Sequence, residues 1–231
     1  MKHNKTMITN YDLKQLNLNG QSVYFHHPKN DDTIYGTLSC LRENKFHLDQ
    51  IDFQPNDVFI DLGSNIGLVS LVVAKLYPDV RIYAFDASPI AIECLRLNCA
   101  VNKVLNIQSF HLAVGGVCEK GLRFSSNSKE VSCLVDDNLM DDTRTDHYVV
   151  NKVGIGEILG SPILGIDRIK FLKCDIEGSE FEMFDYLFEH ADLLDRIDFL
   201  HLEIHPFKIY HPEALKARIE ARFGRRVFFD T

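Results

Sequence analysis

Four short stretches of this chain carry residues whose types and spacing could do chemistry. The first, Asp61-Leu-Gly-Ser-Asn-Ile-Gly67, follows the apolar run Val58-Phe-Ile60 and precedes the apolar Leu68–Leu76. Glycines in such a turn let backbone approach a ligand, and the following helix offers unpaired N–H groups. Asp61 stands where a nicotinamide site has its first glycine, and the Lys-Ser/Thr of a phosphate loop is missing. That chemistry suits a cationic or hydroxylated ligand better than a pyrophosphate. The second stretch ends at Asp86, about 20 residues beyond the glycine turn, where an acid accepts from ribose hydroxyls. In the third, Asp175 and Glu177 lie two apart, sharing a face of extended chain just before Gly178. In the fourth, His201, Glu203 and His205 alternate with Leu200, Leu202 and Ile204, so the polar groups share a face. His205, Glu177 and Glu203, in that order, are candidates to take a proton from a reacting group. As a base His205 must be neutral, with a pKa near ~6.5 if unperturbed.

These stretches need elements that bring them to one place. Val58–Ile60 reads as a buried strand and Leu68–Leu76 as a helix. Val80–Phe85 is a second strand; Ser88 and Pro89 are an N-cap and first-turn residue for a helix over Ile90–Val101. Asn106–Val114 reads as one strand stopped by Gly115-Gly116. Ile169–Asp175 and Ile197–His205 are further strands, separated by a helix over Glu180–Glu189. A helix over Pro212–Phe223 and a strand over Arg226–Phe229 complete the pattern. Strands and helices in this alternation predict right-handed crossovers. The fold class is therefore α/β: a Rossmann-like, doubly wound, mostly parallel sheet with helices on both faces. Asp61 with Gly63, Asp86, Ala113, Asp175 with Glu177, and Glu203 with His205 then all fall at the carboxyl ends of strands, where ligands bind in such sheets.

Two segments break the rhythm. Residues 1–52 read as an amino-terminal extension, a hairpin and helix cover, ahead of a domain over 53–231, with a strand at Ser22–His26 and a short helix over Thr37–Phe46. Residues 117–165 hold a hairpin, Leu122–Ser125 with Val131–Val135, and an acidic loop over Asp136–His147 suited to a lid or substrate-facing insertion.

The 231 residues, 45% hydrophobic and 25% charged, have the profile of one soluble domain. A formal charge of −8 argues against a broad grip on nucleic acid. Six cysteines show no Cys-x-x-Cys pair and no zinc spacing, and no apolar run approaches transmembrane length. A reducing, cytoplasmic setting with no membrane partner is the expectation.

Asp-Leu-Gly-Ser-Asn-Ile-Gly67, Ala84-Phe-Asp-Ala-Ser-Pro89, Leu112-Ala-Val-Gly115, Lys173-Cys-Asp-Ile-Glu-Gly-Ser-Glu180 and Leu202-Glu-Ile-His-Pro206 together resemble class I S-adenosylmethionine-dependent methyltransferases, and within them the FkbM family. The resemblance runs from about Asp57 to Pro206. It implies that Asp61, Gly63 and Gly67 hold the aminocarboxypropyl end of S-adenosylmethionine. Asp86 would bind the ribose and Ala113 lie beside the adenine, with Ser64, Asn65, Ala87 and Asp175 completing the cofactor site. S-adenosylhomocysteine would be the product. The implied reaction is O-methylation of a small-molecule or sugar hydroxyl. Asp86-Ala87 replaces a frequent Glu-Pro, and only one strand follows the last helix where the superfamily has two. That leaves an edge strand which dimerisation could cover. A Mg²⁺ on Asp175, Glu203 and His205 is a less favoured alternative to base catalysis. The rival functions are ribose methylation of nucleic acid, a cofactor-binding scaffold without turnover and, more distantly, a nicotinamide oxidoreductase.

Overall fold

The structure, a computed structural model, describes residues 11–29, 34–127, 130–134, 146–205 and 211–230. At its centre is β3 (Val58–Leu62), and the reason is visible in its composition: all five residues are buried. Val58, Ile60 and Leu62 project into one apolar cluster, while Phe59 joins another on the opposite face.

The chain reaches β3 through an antiparallel hairpin, β1 (Tyr11–Leu18) and β2 (Gln21–Pro28), and a helix α1 (Ile34–Arg42). Asn19 and Gly20 form the hairpin turn with φ of 49° and 77°, the mirror-image turn that matches strand twist. The amino-terminal extension, expected as a hairpin and helix cover with a strand only at Ser22–His26, thus has β1 as the hairpin's other strand. Val23 and Phe25 share a cluster with α2 (Leu68–Leu76), so the hairpin covers one face of the sheet. The helix starts earlier than the expected Thr37.

After α2 come β4 (Arg81–Asp86), α3 (Pro89–Asn102) and β5 (Ile107–His111). Ser88 caps α3 by accepting from the Ala91 N–H, with Pro89 in the first turn. The single strand expected over Asn106–Val114 is broken at Leu112. β5 pairs with β4, and the next three residues, β6 (Ala113–Gly115), leave for a different sheet.

That second sheet is the insertion. Its strands β6, β7 (Glu119–Asn127), β8 (Glu130–Leu134) and β9 (Asp146–Gly154) lie in the order β6-β9-β7-β8. The expected hairpin is present as β7 and β8, whereas β9 stands partly where a loop was expected. Most of the acidic loop lies outside the described residues.

A short helix α4 (Ile155–Leu159) leads to β10 (Ile169–Cys174), α5 (Glu180–Glu189), α6 (Ala191–Leu194), β11 (Ile197–Leu202), α7 (Pro212–Phe223) and β12 (Val227–Phe229). The main sheet has the order β12-β11-β10-β3-β4-β5, and every pairing in it is parallel. The order reverses between β10 and β3, opening a crevice at their carboxyl ends. β11 ends at Leu202, so Glu203 and His205 belong to the segment leaving the strand. Among the described residues no helix is long and apolar enough to cross a membrane.

Candidate active site

The floor of the crevice is the turn after β3. The N–H groups of Gly63 and Ser64 both donate to the Phe85 carbonyl, at 3.0 and 2.9 Å, drawing the turn toward β4. Gly63 has φ +70°, and a Cβ there would overlap the carbonyl oxygen of Asp175. Only glycine permits this approach of β3 to β10. The Gly67 N–H donates to the Ser64 carbonyl and closes the turn before α2. The Ser64 hydroxyl is buried, without a hydrogen-bond partner among the described residues.

Asp61 lies beneath this turn rather than in it. Its side chain is fully buried; Oδ2 accepts from Ser70 Oγ at 2.6 Å, and Oδ1 lies 3.4 Å from Lys173 Nζ, at ion-pair distance without hydrogen-bond geometry. Lys173 Nζ donates to the Gly63 carbonyl at 3.0 Å and reaches Asp175 Oδ2 at 3.5 Å. Burial would lower the lysine pKa, but Asp175 and Asp61 outweigh it and keep the ammonium charged. Asp61 therefore acts on the turn through Lys173, where the sequence had suggested direct contact with a ligand.

At the end of β4, Asp86 accepts from the Asn65 N–H through Oδ2 and from the Ser88 N–H through Oδ1, both at 2.7 Å. Burial pushes its pKa up to about 6, against the pull of those two hydrogen bonds. Ala87 packs against a small cluster of Ala113, Phe124 and Val150, which brings the second sheet alongside the site.

The rim is formed by acids around one imidazole. His205 Nδ1 lies 2.9 Å from Glu180 Oε1; Nε2 lies 3.1 Å from Glu177 Oε2, 3.4 Å from Glu203 Oε1 and 3.9 Å from Asp175 Oδ1. Burial alone would lower the His205 pKa. Hydrogen bonds to Glu180 and Glu203 and the charge of Glu177 outweigh it and push it up to about 11. The ring expected to be neutral is thus held protonated at neutral pH. Glu177 has a left-handed backbone, φ 56°, and burial pushes its carboxyl up to about 8 although His205 pulls it down. Burial likewise raises Asp175, against Lys173, while the hydrogen bond from His205 lowers Glu203. Asp175, Glu203 and His205 each offer a ligand atom, all within 4.8 Å of one another, so these three could hold a cation.

Glu180 is the member of the site that sequence reasoning missed. Fully buried at the start of α5, it accepts from the N–H groups of Ile176 (3.1 Å) and Gly178 (2.7 Å) as well as from His205. Its signal was an acid in the first turn of a helix, directly after a glycine turn. His201, by contrast, leaves the site: it is buried with its ring 4.8 Å from Phe46.

A parallel sheet with this reversal, a glycine turn after its central strand and an acid ending the next strand defines a Rossmann-like domain with its ligand crevice at the strand ends. The sequence matches the family described as the methyltransferase FkbM domain over residues 61–228. It is 28% identical over 162 residues to Methyltransferase 1 of Beauveria bassiana, covering 62% of this chain and 64% of that protein. It is 25% identical over 195 residues to Methyltransferase sdnD of Sordaria araneosa, covering 72% and 71%. A crystal structure of Methyltransferase FkbM from Methylobacillus flagellatus aligns with a TM-score of 0.36 at 15% identity, over 71% of this chain and 43% of that one. The chain belongs to the FkbM methyltransferase family.

The residues present fit S-adenosylmethionine, the cofactor that family implies. The turn is narrow enough to exclude a Cβ at Gly63, Ser64 offers a buried hydroxyl without a hydrogen-bond partner among the described residues, and Asp86 ends the strand beside it, where an acid can accept from ribose hydroxyls.

Proposed function

We propose that this chain methylates a hydroxyl group of a small molecule or sugar. The observation that carries the reading is the cluster of carboxyls, Glu177 and Glu203, gathered around the protonated His205 beside the glycine turn, at the carboxyl ends of β10 and β11. The cofactor supplies an electrophilic methyl group on a sulfonium. What remains for the protein is alignment of an acceptor oxygen and removal of its proton.

Glu177 suits the second task. Its carboxyl, raised to about 8, is matched to neutral pH, whereas Glu203 is lowered and His205 already carries a proton. The protonated ring fixes the carboxylates around it and offsets part of their charge. Carboxylates are strong acceptors for hydroxyls, which favours a polyhydroxylated acceptor. One relative, 33% identical over 54 residues, is named 31-O-demethyl-FK506 methyltransferase, an oxygen-directed activity. Relatives named for ribosomal RNA and tRNA match only 43 residues, and a charge of −8 disfavours such acceptors.

The test is transfer of labelled methyl from S-adenosylmethionine to a panel of hydroxylated sugars and polyketide-like alcohols, with amines and RNA alongside. Glu177→Gln should lower the rate constant about 10²–10⁴-fold with cofactor affinity nearly unchanged. Loss of activity to chelator, restored by Mg²⁺, would transfer the role to a cation on Asp175, Glu203 and His205. Transfer to RNA or amines alone would overturn the reading.

A further inference from the structure

We propose that Asn98, in the middle of α3, is a positioning residue for the cofactor turn and couples docking of the amino-terminal hairpin to cofactor binding. Asn98 is fully buried, and its amide serves two partners at once. Oδ1 accepts the His26 N–H at 2.5 Å, with the His26 ring Nδ1 at 3.3 Å. Nδ2 donates to the His26 carbonyl at 3.1 Å and to the Ile66 carbonyl at 3.0 Å. Both donors of the amide are therefore used, one on β2 and one on the glycine turn. Ile66 lies between Asn65, whose N–H is held by Asp86, and Gly67, which begins α2. One side chain ties the hairpin to the backbone that must cradle the cofactor. Val23 and Phe25 of the hairpin also share a cluster with Ile66 and Leu68, so the hydrogen bonds are backed by packing.

Asn102, one helical turn further on, repeats only the hairpin half of this arrangement. Its Oδ1 accepts the Tyr24 N–H at 2.9 Å and its Nδ2 donates to the Tyr24 carbonyl at 2.5 Å. Its remaining bond goes to the Asn98 carbonyl within α3, not to the turn. Asn102 is therefore an internal control for hairpin docking without turn support. Because linkage is reciprocal, a docked hairpin that favours cofactor binding must itself be held more firmly when cofactor is bound.

The inference rests on the reading that this turn takes S-adenosylmethionine. S-adenosylhomocysteine is titrated calorimetrically into the unaltered protein, Asn98→Ala and Asn102→Ala, and amide exchange of β2 is followed with and without it. Asn98→Ala should weaken binding about ten-fold and Asn102→Ala less than about two-fold. In the unaltered protein, saturating ligand should slow exchange at His26 by about ten-fold. Unchanged affinity in Asn98→Ala, or equal weakening in both variants, overturns the coupling. If Asn98→Ala does not fold, the exchange measurement decides alone, and an unaffected His26 amide overturns it. An unaltered protein that binds no S-adenosylhomocysteine overturns the cofactor reading as well, a result distinct from an unaffected variant.

Discussion

At the scale of single residues, the site is governed by how charges share a small space. His205 has four carboxylates around it, and Glu180 is the one that sets its orientation through Nδ1. The same Glu180 holds the N–H groups of Ile176 and Gly178, so it also fixes the left-handed Glu177 between them. Glu180→Gln would turn an amide N–H₂ toward one of these donors and remove the charge facing the imidazolium. We expect a stability loss of about 2–3 kcal/mol, since bonds to a buried charged acceptor are involved. The rate constant for methyl transfer should fall with little change in cofactor affinity, because the glycine turn is untouched. Denaturant unfolding and S-adenosylhomocysteine titration of the same variant check both parts. The positions of Asp175, Glu177 and Glu203 just beyond β10 and β11 were legible from the strand runs, although none of the three lies within a strand. The inward turn of Asp61 and the protonation of His205 were not. Both arise from groups distant in sequence, Ser70 and Lys173 for one and Glu180 for the other.

At the scale of elements, local chemistry announces what it controls. The α5 and α7 helices run from Glu180 to Glu189 and from Pro212 to Phe223, as periodicity and a first-turn proline predict. Asn19-Gly20 is an equally clear hairpin signal between alternating stretches, and it fixes where the expected amino-terminal hairpin turns. What no window of sequence reveals is the change of sheet at Leu112, because β6 pairs with β9, dozens of residues away. That second sheet is held to α5 through Lys152, whose mostly buried ammonium lies 2.8 Å from Glu182 Oε1 and 3.4 Å from Glu119 Oε2. Glu182 also accepts the Gly116 N–H at 3.0 Å. Glu182→Ala leaves a largely buried lysine with only its longer, exposed partner. A loss of about 1–3 kcal/mol should follow, below the full cost of an isolated buried charge because Glu119 remains. The double variant Lys152→Met with Glu182→Ala should recover part of it. Equal stability of the single variant and the unaltered protein in denaturant would show that this pair does not anchor the sheet.

At the scale of the whole molecule, two histidines four residues apart give stability opposite pH dependences. His201 is buried with no hydrogen-bond partner for either ring nitrogen among the described residues, and burial, aided by the Lys173 charge, lowers its pKa to about 3. Between pH 6.5 and 3 the unfolded chain gains this proton while the folded chain does not, so stability falls as pH falls. His205 runs the other way. Its folded pKa of about 11 lies above the model-peptide 6.5, so its contribution is complete below 6.5 and is lost as pH rises toward 11. The carboxyls of the site modify these slopes, Asp175 raised by burial and Glu203 lowered by its hydrogen bond from His205 among them. Asp86, raised from 3.8 to about 6, and Glu177, raised from 4.5 to about 8, also keep protons in the folded state, so their contributions fall as pH rises through those windows. They oppose the His201 slope on the acid side and add to the His205 slope only up to about pH 8. The interval from about pH 8 to 9 therefore isolates His205; above it the thiols of Cys40, Cys99 and Cys174, all raised from 9.0 by burial, add to the same alkaline loss. Each histidine can change stability by at most about 1.4 kcal/mol for each pH unit crossed in its window. Denaturant unfolding across pH 4 to 10 should show a maximum near neutral pH. His201→Phe removes an unpaired polar ring from the core, so it should raise stability near pH 4 and flatten the acid limb while leaving the alkaline one. His205→Gln should flatten the limb between pH 8 and 9 and leave the acid limb in place. A His205→Gln protein that still loses stability as steeply between pH 8 and 9 would show that the imidazole is not the group holding that proton.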